Sequence, residues 1–306
     1  MRCAPAVLAA LVPLVAGAQP AAEQPVPLGI SLGVSDETEL TIAPGTPLTF
    51  TAEFENSAAA DALAAAQVAE ATKAQLDAAV AAGDRSREEA DAELARLDAP
   101  PAVPAAITIH PVADRFSWAL ADGSAPPWQA MLVGPEVPAA ALDGTQTVAV
   151  TFVVAPEATQ AVAPGEYRVH LHYSGEGAPA GEWTGSTDSD EVVVTVEAAP
   201  AAPTPEQQWE QGYSFSLYHL AVADFTAATA DAQAMLTAQP DSVLARVQLG
   251  RAKEGQHDLA GARAAYEDAL EQDLKQDPGG EPPIWLEREI RRVSELIAPP
   301  PAPQNP

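Results

Sequence analysis

Between residues 28 and 197, apolar side chains mostly alternate with polar or small ones. The alternation is clear in residues 48–54 and 167–173, where every second residue is apolar, and it recurs in short segments separated by Pro, Gly and Asp. Successive side chains of a strand point to opposite faces of a sheet, so this period indicates strands buried on one face. The number of short segments predicts an antiparallel sandwich of two sheets.

A tyrosine that follows a proline–glycine turn gives this region a family likeness. Residues 163–167 read Ala-Pro-Gly-Glu-Tyr and lead into an alternating strand, and residues 191–197 supply a further strand. This arrangement resembles the last two strands of bacterial immunoglobulin-like sandwich domains. The resemblance covers about residues 26–197 and implies an immunoglobulin-like fold. It carries no functional residues, and the cysteine pair of antibody domains is absent.

Residues 57–98 interrupt the alternation. Residues 57–82 are rich in Ala and contain neither Gly nor Pro, which favours a helix, and Gly83 suits its C-cap. Ser86 and Glu89 form a capping box before a second helix that we expect to end near Leu97. The sequence therefore predicts a helical hairpin inserted between two strands. We expect it to pack on the flank of the sandwich, and the alternative is an arm that binds a partner.

From Thr204 onwards the apolar positions follow a helical period. Capping residues predict five helices between residues 206 and 297. The first ends near residue 222, the second spans 225–238, the third runs from a cap at Asp241 to about 254, the fourth from a cap at Asp258 to about 273, and the fifth spans 284–297.

The third and fourth predicted helices resemble a tetratricopeptide repeat. Leu249 and Gly250 match the close crossing point of the first helix in that repeat, and Ala262, Tyr266 and Ala269 match the small, aromatic and small positions of the second. Small residues are required where two helices cross closely.

The preceding unit matches the repeat less well. Met235 stands where a small residue is expected, and about four extra positions precede Ala228 if Gly212 is the crossing residue. The resemblance covers about residues 205–297. A plain helical bundle is the alternative.

The resemblance implies that the domain binds a protein or peptide in a concave groove lined by the first helix of each repeat. Applied to this sequence, it places Val247, Gln248, Arg251 and Glu254 in the groove. Arg251 is the only cation among them and could hold a carboxylate of a peptide. The alternative is a solvated ion pair between Arg251 and Glu254, three positions apart.

The first 18 residues are typical of a signal peptide. Arg2 precedes an uncharged apolar run over residues 4–15, which is too short to span a bilayer, and small residues lead to Ala18, after which we expect cleavage. Export to the periplasm or the cell exterior follows. Cys3, the single cysteine, would be lost with this segment, so the mature chain would contain no disulfide. No later stretch is apolar and long enough to span a membrane.

Proline-rich segments mark the predicted domain borders. The predicted order is a signal peptide (1–18), a linker (19–27), a sandwich (28–197) with its helical insert (57–98), a second linker (198–205), a tetratricopeptide-like domain (206–297) and a proline-rich tail (298–306).

Charge and motif content narrow the function. The 306 residues include 43 acidic and 15 basic side chains, a net charge of -28, which disfavours nucleic acid and anionic lipid as partners. No recognised catalytic, nucleotide-binding or metal-binding motif is present, so we expect neither enzymatic activity nor a cofactor. His170 and His172 share one strand face and could hold a metal with a third ligand. Their alternation with apolar residues instead predicts the polar face of an ordinary strand.

The sequence as a whole predicts an exported, non-enzymatic scaffold or adaptor that binds a protein or peptide partner through its helical domain. The alternative is a carbohydrate-binding accessory protein. Trp183 lies in a Gly-rich polar segment and Trp128 follows a Pro-Pro turn, and exposed loop tryptophans can stack on sugar rings.

Overall fold

The computed structural model describes residues 27–35, 37–95, 102–134 and 138–297. The predicted signal peptide, the first linker except for its last residue, and the proline-rich tail lie outside the described residues, as does Leu97.

The region before residue 198 contains the eleven strands found among the described residues. Among the described residues the strands are β1 (Gly29–Val34), β2 (Glu39–Ile42), β3 (Leu48–Glu55), β4 (Ile107–Ile109), β5 (Phe116–Leu120), β6 (Met131–Val133), β7 (Ala140–Leu142), β8 (Val148–Val154), β9 (Gly165–Ser174), β10 (Ser186–Asp188) and β11 (Val192–Val196).

Helices interrupt the strand region and then form the rest of the described chain. The α-helices are α1 (Ser57–Ala82), α2 (Arg87–Leu94), α3 (Pro156–Gln160), α4 (Pro205–Ala221), α5 (Phe225–Ala238), α6 (Val243–Gly255), α7 (Leu259–Gln276) and α8 (Ile284–Ile297). None of the helices in the described residues has the length and apolar character that crossing a membrane requires.

Two main sheets enclose an aromatic core. The first has the strand order β1-β3-β8-β6, the second has the order β10-β9-β11-β2 with β5 also paired to β9, and β4 and β7 form a small third sheet. Rings from the two main sheets meet between them, for example Phe50 with Trp118 at 4.8 Å and Phe116 with Phe152 at 5.0 Å between centroids. Such contacts contribute beyond the apolar area they bury.

The prediction of a wholly antiparallel sandwich is wrong for one strand pair. β2 runs parallel to β11, with Leu40 opposite Val194, while the other strand pairs of the named sheets are antiparallel. The chain passes from β1 at the edge of the first sheet to β2 at the edge of the second, so β2 enters its sheet by crossing over. Alternation of apolar residues indicates which face is buried but carries no information on strand direction.

A tyrosine hydroxyl secures the turn before β9. Tyr167 lies at the start of this strand, and its hydroxyl donates a hydrogen bond of 2.8 Å to the carbonyl of Ala163. The bond ties the proline–glycine turn to the strand that follows it.

The predicted helical hairpin is present as α1 and α2, with the predicted caps. Gly83 ends α1 in the left-handed region at φ 81°, and Ser86 and Glu89 form the capping box of α2. Asn56 caps α1 and anchors it to the sandwich, because its buried side chain accepts from the amide of Ala59 and donates to the carbonyl of Leu142 at 3.2 Å.

The expectation that the hairpin packs along the sandwich flank is wrong for most of its length. Ala59 and Ala62, in the first turns of α1, are buried, and beyond them α1 buries only Leu76. Val68 is 67% exposed. Because its side chains are mostly small, the helix has little apolar area with which to cover a sheet. Helix α1 is about 39 Å long, since each of its 26 residues adds about 1.5 Å.

Helices α4 to α8 form a domain in which each helix packs on the next along the chain. The five predicted helices are present. The cap of α6 differs by one residue from the prediction, because the Ser242 hydroxyl, rather than Asp241, accepts a hydrogen bond from the amide of Ala245. This domain lies against the outer face of the first sheet, where α4 contacts β3 and β8 and where Val153 is fully buried.

The hairpins α4–α5 and α6–α7 share a turn geometry at a spacing of 34 residues. Ala223 and His257 both adopt left-handed backbone, at φ 61° and 62°. The residues that follow them, Asp224 and Asp258, cap α5 and α7 in the same way. With this spacing the equivalent of Gly250 is Ser216, which is fully buried.

The buried Ser216, rather than Gly212, is therefore the residue equivalent to Gly250, and with this alignment the four extra positions disappear. Gly212 lies at a close contact as well, because a Cβ atom there would be 2.8 Å from Cγ of Met235. In the second hairpin the close contact is at Gly250. A Cβ atom at Gly250 would overlap the ring of Tyr266, which is 1% exposed and has little room to move.

We predict that Gly250→Ala destabilises the helical domain by about 1–3 kcal/mol through overpacking. At an exposed position of a helix, Gly→Ala would stabilise the protein by about 1 kcal/mol. The sign of the change in stability therefore tests whether Gly250 lies at a close helix crossing. Urea unfolding followed by far-ultraviolet circular dichroism measures it. Gly279→Ala is the matched control, since nothing lies within 4 Å of its added Cβ, and it should change stability by less than about 0.5 kcal/mol. An increase in stability for Gly250→Ala would contradict the prediction.

Candidate functional site: a groove between α6 and α8

Helices α6, α7 and α8 surround an open groove of about 630 Å³. Its lining combines aromatic and apolar side chains with two arginines and two glutamates. The lining residues are Val247, Arg251, Glu254, Gly255, Tyr266, Trp285, Glu289 and Arg292.

The register of α8 determines which side chains reach the groove. Leu286, Ile290 and Val293 recur at helical spacing and pack into the apolar core formed by α6 and α7. Trp285 precedes this stripe by about 100° around the helix and is 49% exposed. Glu289 and Arg292 follow it four and seven positions later, so they lie on the same face as Trp285.

An ion-pair network joins α8 to α6 across the groove. The Arg292 guanidinium donates to both carboxylate oxygens of Glu254, at 2.7 and 2.6 Å, and also to Glu289 at 2.6 Å. The hydrogen bonds that Arg292 donates hold the pKa of Glu254 below its usual value. The same bonds, together with the bond to Glu289, raise the pKa of Arg292. A bidentate arginine–carboxylate pair constrains the relative orientation of the two side chains in addition to its charge attraction.

Tyr266 forms part of the same network from α7. Its hydroxyl lies 3.4 Å from Oε2 of Glu254. Burial raises the pKa of Tyr266, with the charge of Glu254 as a second cause, so the phenol stays neutral and can donate to the carboxylate. The Glu254 carboxylate is therefore occupied by groups from both neighbouring helices.

Arg251 is exposed on the groove wall and forms neither a salt bridge nor a hydrogen bond within the described part of the chain. The alternative interpretation from the sequence, an ion pair with Glu254, is wrong because Glu254 is bound to Arg292. The groove thus combines an unpaired guanidinium with a half-exposed tryptophan.

The structure brings together three of the four predicted groove residues and excludes the fourth. Arg251 and Glu254 line the groove, and Val247 lies at its base with 2% exposure. The prediction is wrong for Gln248, whose side chain is fully buried. Among the described residues, neither the oxygen nor the nitrogen of its amide group has a hydrogen-bond partner. It follows Val247 by 100° around α6, which turns its side chain away from the groove.

Sequence reasoning missed the contribution of α8. Trp285, Glu289 and Arg292 are not among the predicted groove residues. Their helical spacing places them on one face, which is the signal that was available. That this face meets α6 depends on how α8 docks, and the chain pattern does not contain that information.

The expectation that Trp128 and Trp183 are exposed is wrong. They are 6% and 7% exposed and belong to the sandwich core. Trp183 stacks on Tyr173 with centroids 5.9 Å apart, and its amide donates to the carbonyl of Thr108. The Trp183 ring also lies against Gly185, where a Cβ atom would overlap it. The glycine at this position therefore permits close packing, and two buried rings cannot stack on a sugar.

One of the two histidines of β9, His172, lies next to a carboxylate of the neighbouring strand. His172 Nδ1 lies 2.8 Å from Oδ1 of Asp188 on the neighbouring strand β10. Within the described ranges, no group of three or more His, Cys, Asp or Glu side chains is arranged to hold a metal ion.

The chain matches no protein-family model and no curated protein sequence. It combines a region of mixed and antiparallel β-sheets with a following domain of five packed helices. The functional argument therefore depends on the geometry of the groove.

We predict that Glu254→Gln lowers stability at neutral pH by about 1 kcal/mol, because a partly buried ion pair is lost. The pKa of Glu254 is lowered on folding, so its contribution is present above its usual pKa of about 4.5 and is lost as the pH falls through the lowered value. The stability of the variant should therefore decrease less on acidification than that of the wild type.

Denaturant midpoints measured over a series of pH values test this prediction. Glu267→Gln removes an exposed carboxylate that pairs with Arg263 on the same helix, and it should change stability by less than about 0.5 kcal/mol. An unchanged acid dependence in Glu254→Gln would show that the pair with Arg292 contributes nothing to folding.

Proposed function

We propose that the chain is an exported scaffold or adaptor protein that binds a protein or peptide partner in the groove between α6 and α8. One observation carries the proposal: the groove presents Trp285 at 49% exposure beside Arg251, which has no ion-pair partner among the described residues. Trp and Arg are the residues most enriched at energetic centres of protein interfaces.

The repeated hairpin geometry supports assigning the helical domain to the tetratricopeptide-like class. The 34-residue spacing of Asp224 and Asp258 agrees with the length of that repeat, and Ser216 and Gly250 provide small residues at the crossings. Helix α8 then acts as a terminal helix whose inner face closes the core and whose adjacent face forms one wall of the groove.

The hydrogen bond from Tyr167 to Ala163 supports an immunoglobulin-like class for the sandwich. A tyrosine near the start of a strand whose hydroxyl bonds to the backbone a few residues upstream is a hallmark of such domains. In this proposal the sandwich carries the helical domain, and the charge-hydrophobic order of residues 1–18 supports export to the periplasm or the cell exterior.

We predict that peptides selected from a random display library on the intact chain bind in the groove. Trp285→Ala should weaken the selected peptides about tenfold, since truncating a central aromatic anchor commonly costs more than 1 kcal/mol. Titration of labelled synthetic peptides by fluorescence anisotropy measures the effect.

Val68→Ala is the matched control because it removes an exposed apolar side chain from α1, far along the chain from the groove. It should leave affinity unchanged. Selected peptides that bind the wild type and Trp285→Ala equally well would contradict the proposed function.

A further inference from the structure

Among the described residues, most of the cations without a salt bridge lie on α6 and α8. Thirteen of its 15 Lys and Arg residues lie in the described ranges, all except Arg2 and Arg96. Nine of the thirteen form salt bridges with carboxylates: Arg85, Arg87, Arg115, Arg168, Arg246, Lys253, Arg263, Lys275 and Arg292.

Four cations of the described residues form no salt bridge: Lys73 on α1, Arg251 on α6, and Arg288 and Arg291 on α8. Three of the four therefore lie on the two helices that form the groove walls. With 43 acidic residues against 15 basic ones, a carboxylate is available to most arginines in this chain. The absence of a partner at three arginines on α6 and α8 calls for a physical explanation.

The geometry places two of these arginines beside the exposed tryptophan. Arg251 lines the groove directly, and Arg288 follows Trp285 by three positions, so their side chains are neighbours on the surface of α8. Helix α6 itself carries more basic than acidic residues, with Arg246, Arg251 and Lys253 against Glu254.

The carboxylates of the groove do not compensate these charges by direct contact. Glu254 and Glu289 both direct oxygens at the guanidinium of Arg292, which holds them in place. Arg251 and Arg288 are left with guanidinium donors that meet solvent. A guanidinium presents a planar fork of donors that matches a carboxylate.

We infer that the partner segment bound by this groove is an acidic peptide, with Asp or Glu side chains that pair with Arg251 and Arg288 beside an apolar residue that packs on Trp285. This inference rests on the proposed function and specifies the chemistry of its partner.

The net charge of the chain favours a short acidic segment over a polyanion. A chain with a net charge of -28 repels a nucleic acid, because a duplex carries one negative charge about every 1.7 Å along its whole length. A peptide with a few carboxylates experiences less of this repulsion. Ion pairs between its carboxylates and the groove arginines offset the repulsion that remains. Carboxylate side chains on a peptide are therefore the fitting ligand chemistry.

The test starts from peptides selected on the intact wild-type chain. Their sequences should be enriched in Asp and Glu next to apolar or aromatic residues, relative to the unselected library. One selected peptide and its counterpart with Gln and Asn in place of Glu and Asp are then titrated by anisotropy. The amide counterpart should bind the wild type about five- to tenfold more weakly, the loss expected for one or two solvent-accessible ion pairs.

The arginine variants connect this loss to the groove. Against Arg251→Ala/Arg288→Ala the acidic peptide and its amide counterpart should bind alike, within about twofold. Lys73→Ala, which removes the unpaired cation outside the groove, should retain the full difference. In Arg251→Glu, a peptide with Lys in place of one Glu should bind better than the acidic original, which also rules out simple unfolding of the variant.

Two sets of results would overturn the inference. The first set is a selection without enrichment of Asp and Glu, or a loss of affinity for the amide counterpart that is equal on the wild type and the double variant. Either result would show that the arginines do not bind the peptide carboxylates. A single-stranded oligonucleotide that binds more tightly than the selected peptides would also count against it. If Trp285→Ala still weakens peptide binding in these cases, the proposed function stands without the specificity for acidic peptides. If Trp285→Ala also leaves peptide binding unchanged, both the proposed function and this inference are rejected.

Discussion

The bidentate pair between Arg292 and Glu254 is the interaction on which the groove depends. It joins α8 to α6 across the groove and helps to hold the face of α8 that contains Trp285 against the α6–α7 hairpin. It also occupies the carboxylate that lies three residues from Arg251, so Arg251 keeps its donors free. A single arginine thereby contributes to the shape of the groove and leaves a second arginine without a carboxylate partner among the described residues.

Close backbone approach lets a chain with few aromatic residues build packed cores. At Gly250 and Gly185 the absence of a Cβ allows the rings of Tyr266 and Trp183 to lie directly on the backbone. In the sandwich, rings from both sheets form a connected cluster around Phe116 and Phe152. Where small residues have no such ring to contact, as along most of α1, little is buried and the helix extends from the sandwich.

Several features followed from residue pattern and capping chemistry alone. The ends of α1, the capping box at Ser86 and the five helices after Thr204 were predictable because caps and helical periods depend on neighbouring residues. The sequence pattern did not single out Ser216 as the equivalent of Gly250. The spacing of 34 residues became visible only when the turns at Ala223 and His257 were known to be alike.

The sequence by itself determined the succession of a strand region and a helical domain, the position of the inserted hairpin and the acidic surface, because periodicity, propensity and charge are local or additive properties. Only the tertiary structure decided that β2 runs parallel to β11, that Trp128 and Trp183 are buried, and that Arg292 binds Glu254. These features depend on which segments, distant along the chain, come into contact. A groove formed by α6 and α8 is such a contact, so its charge pattern arises only when the helices pack together.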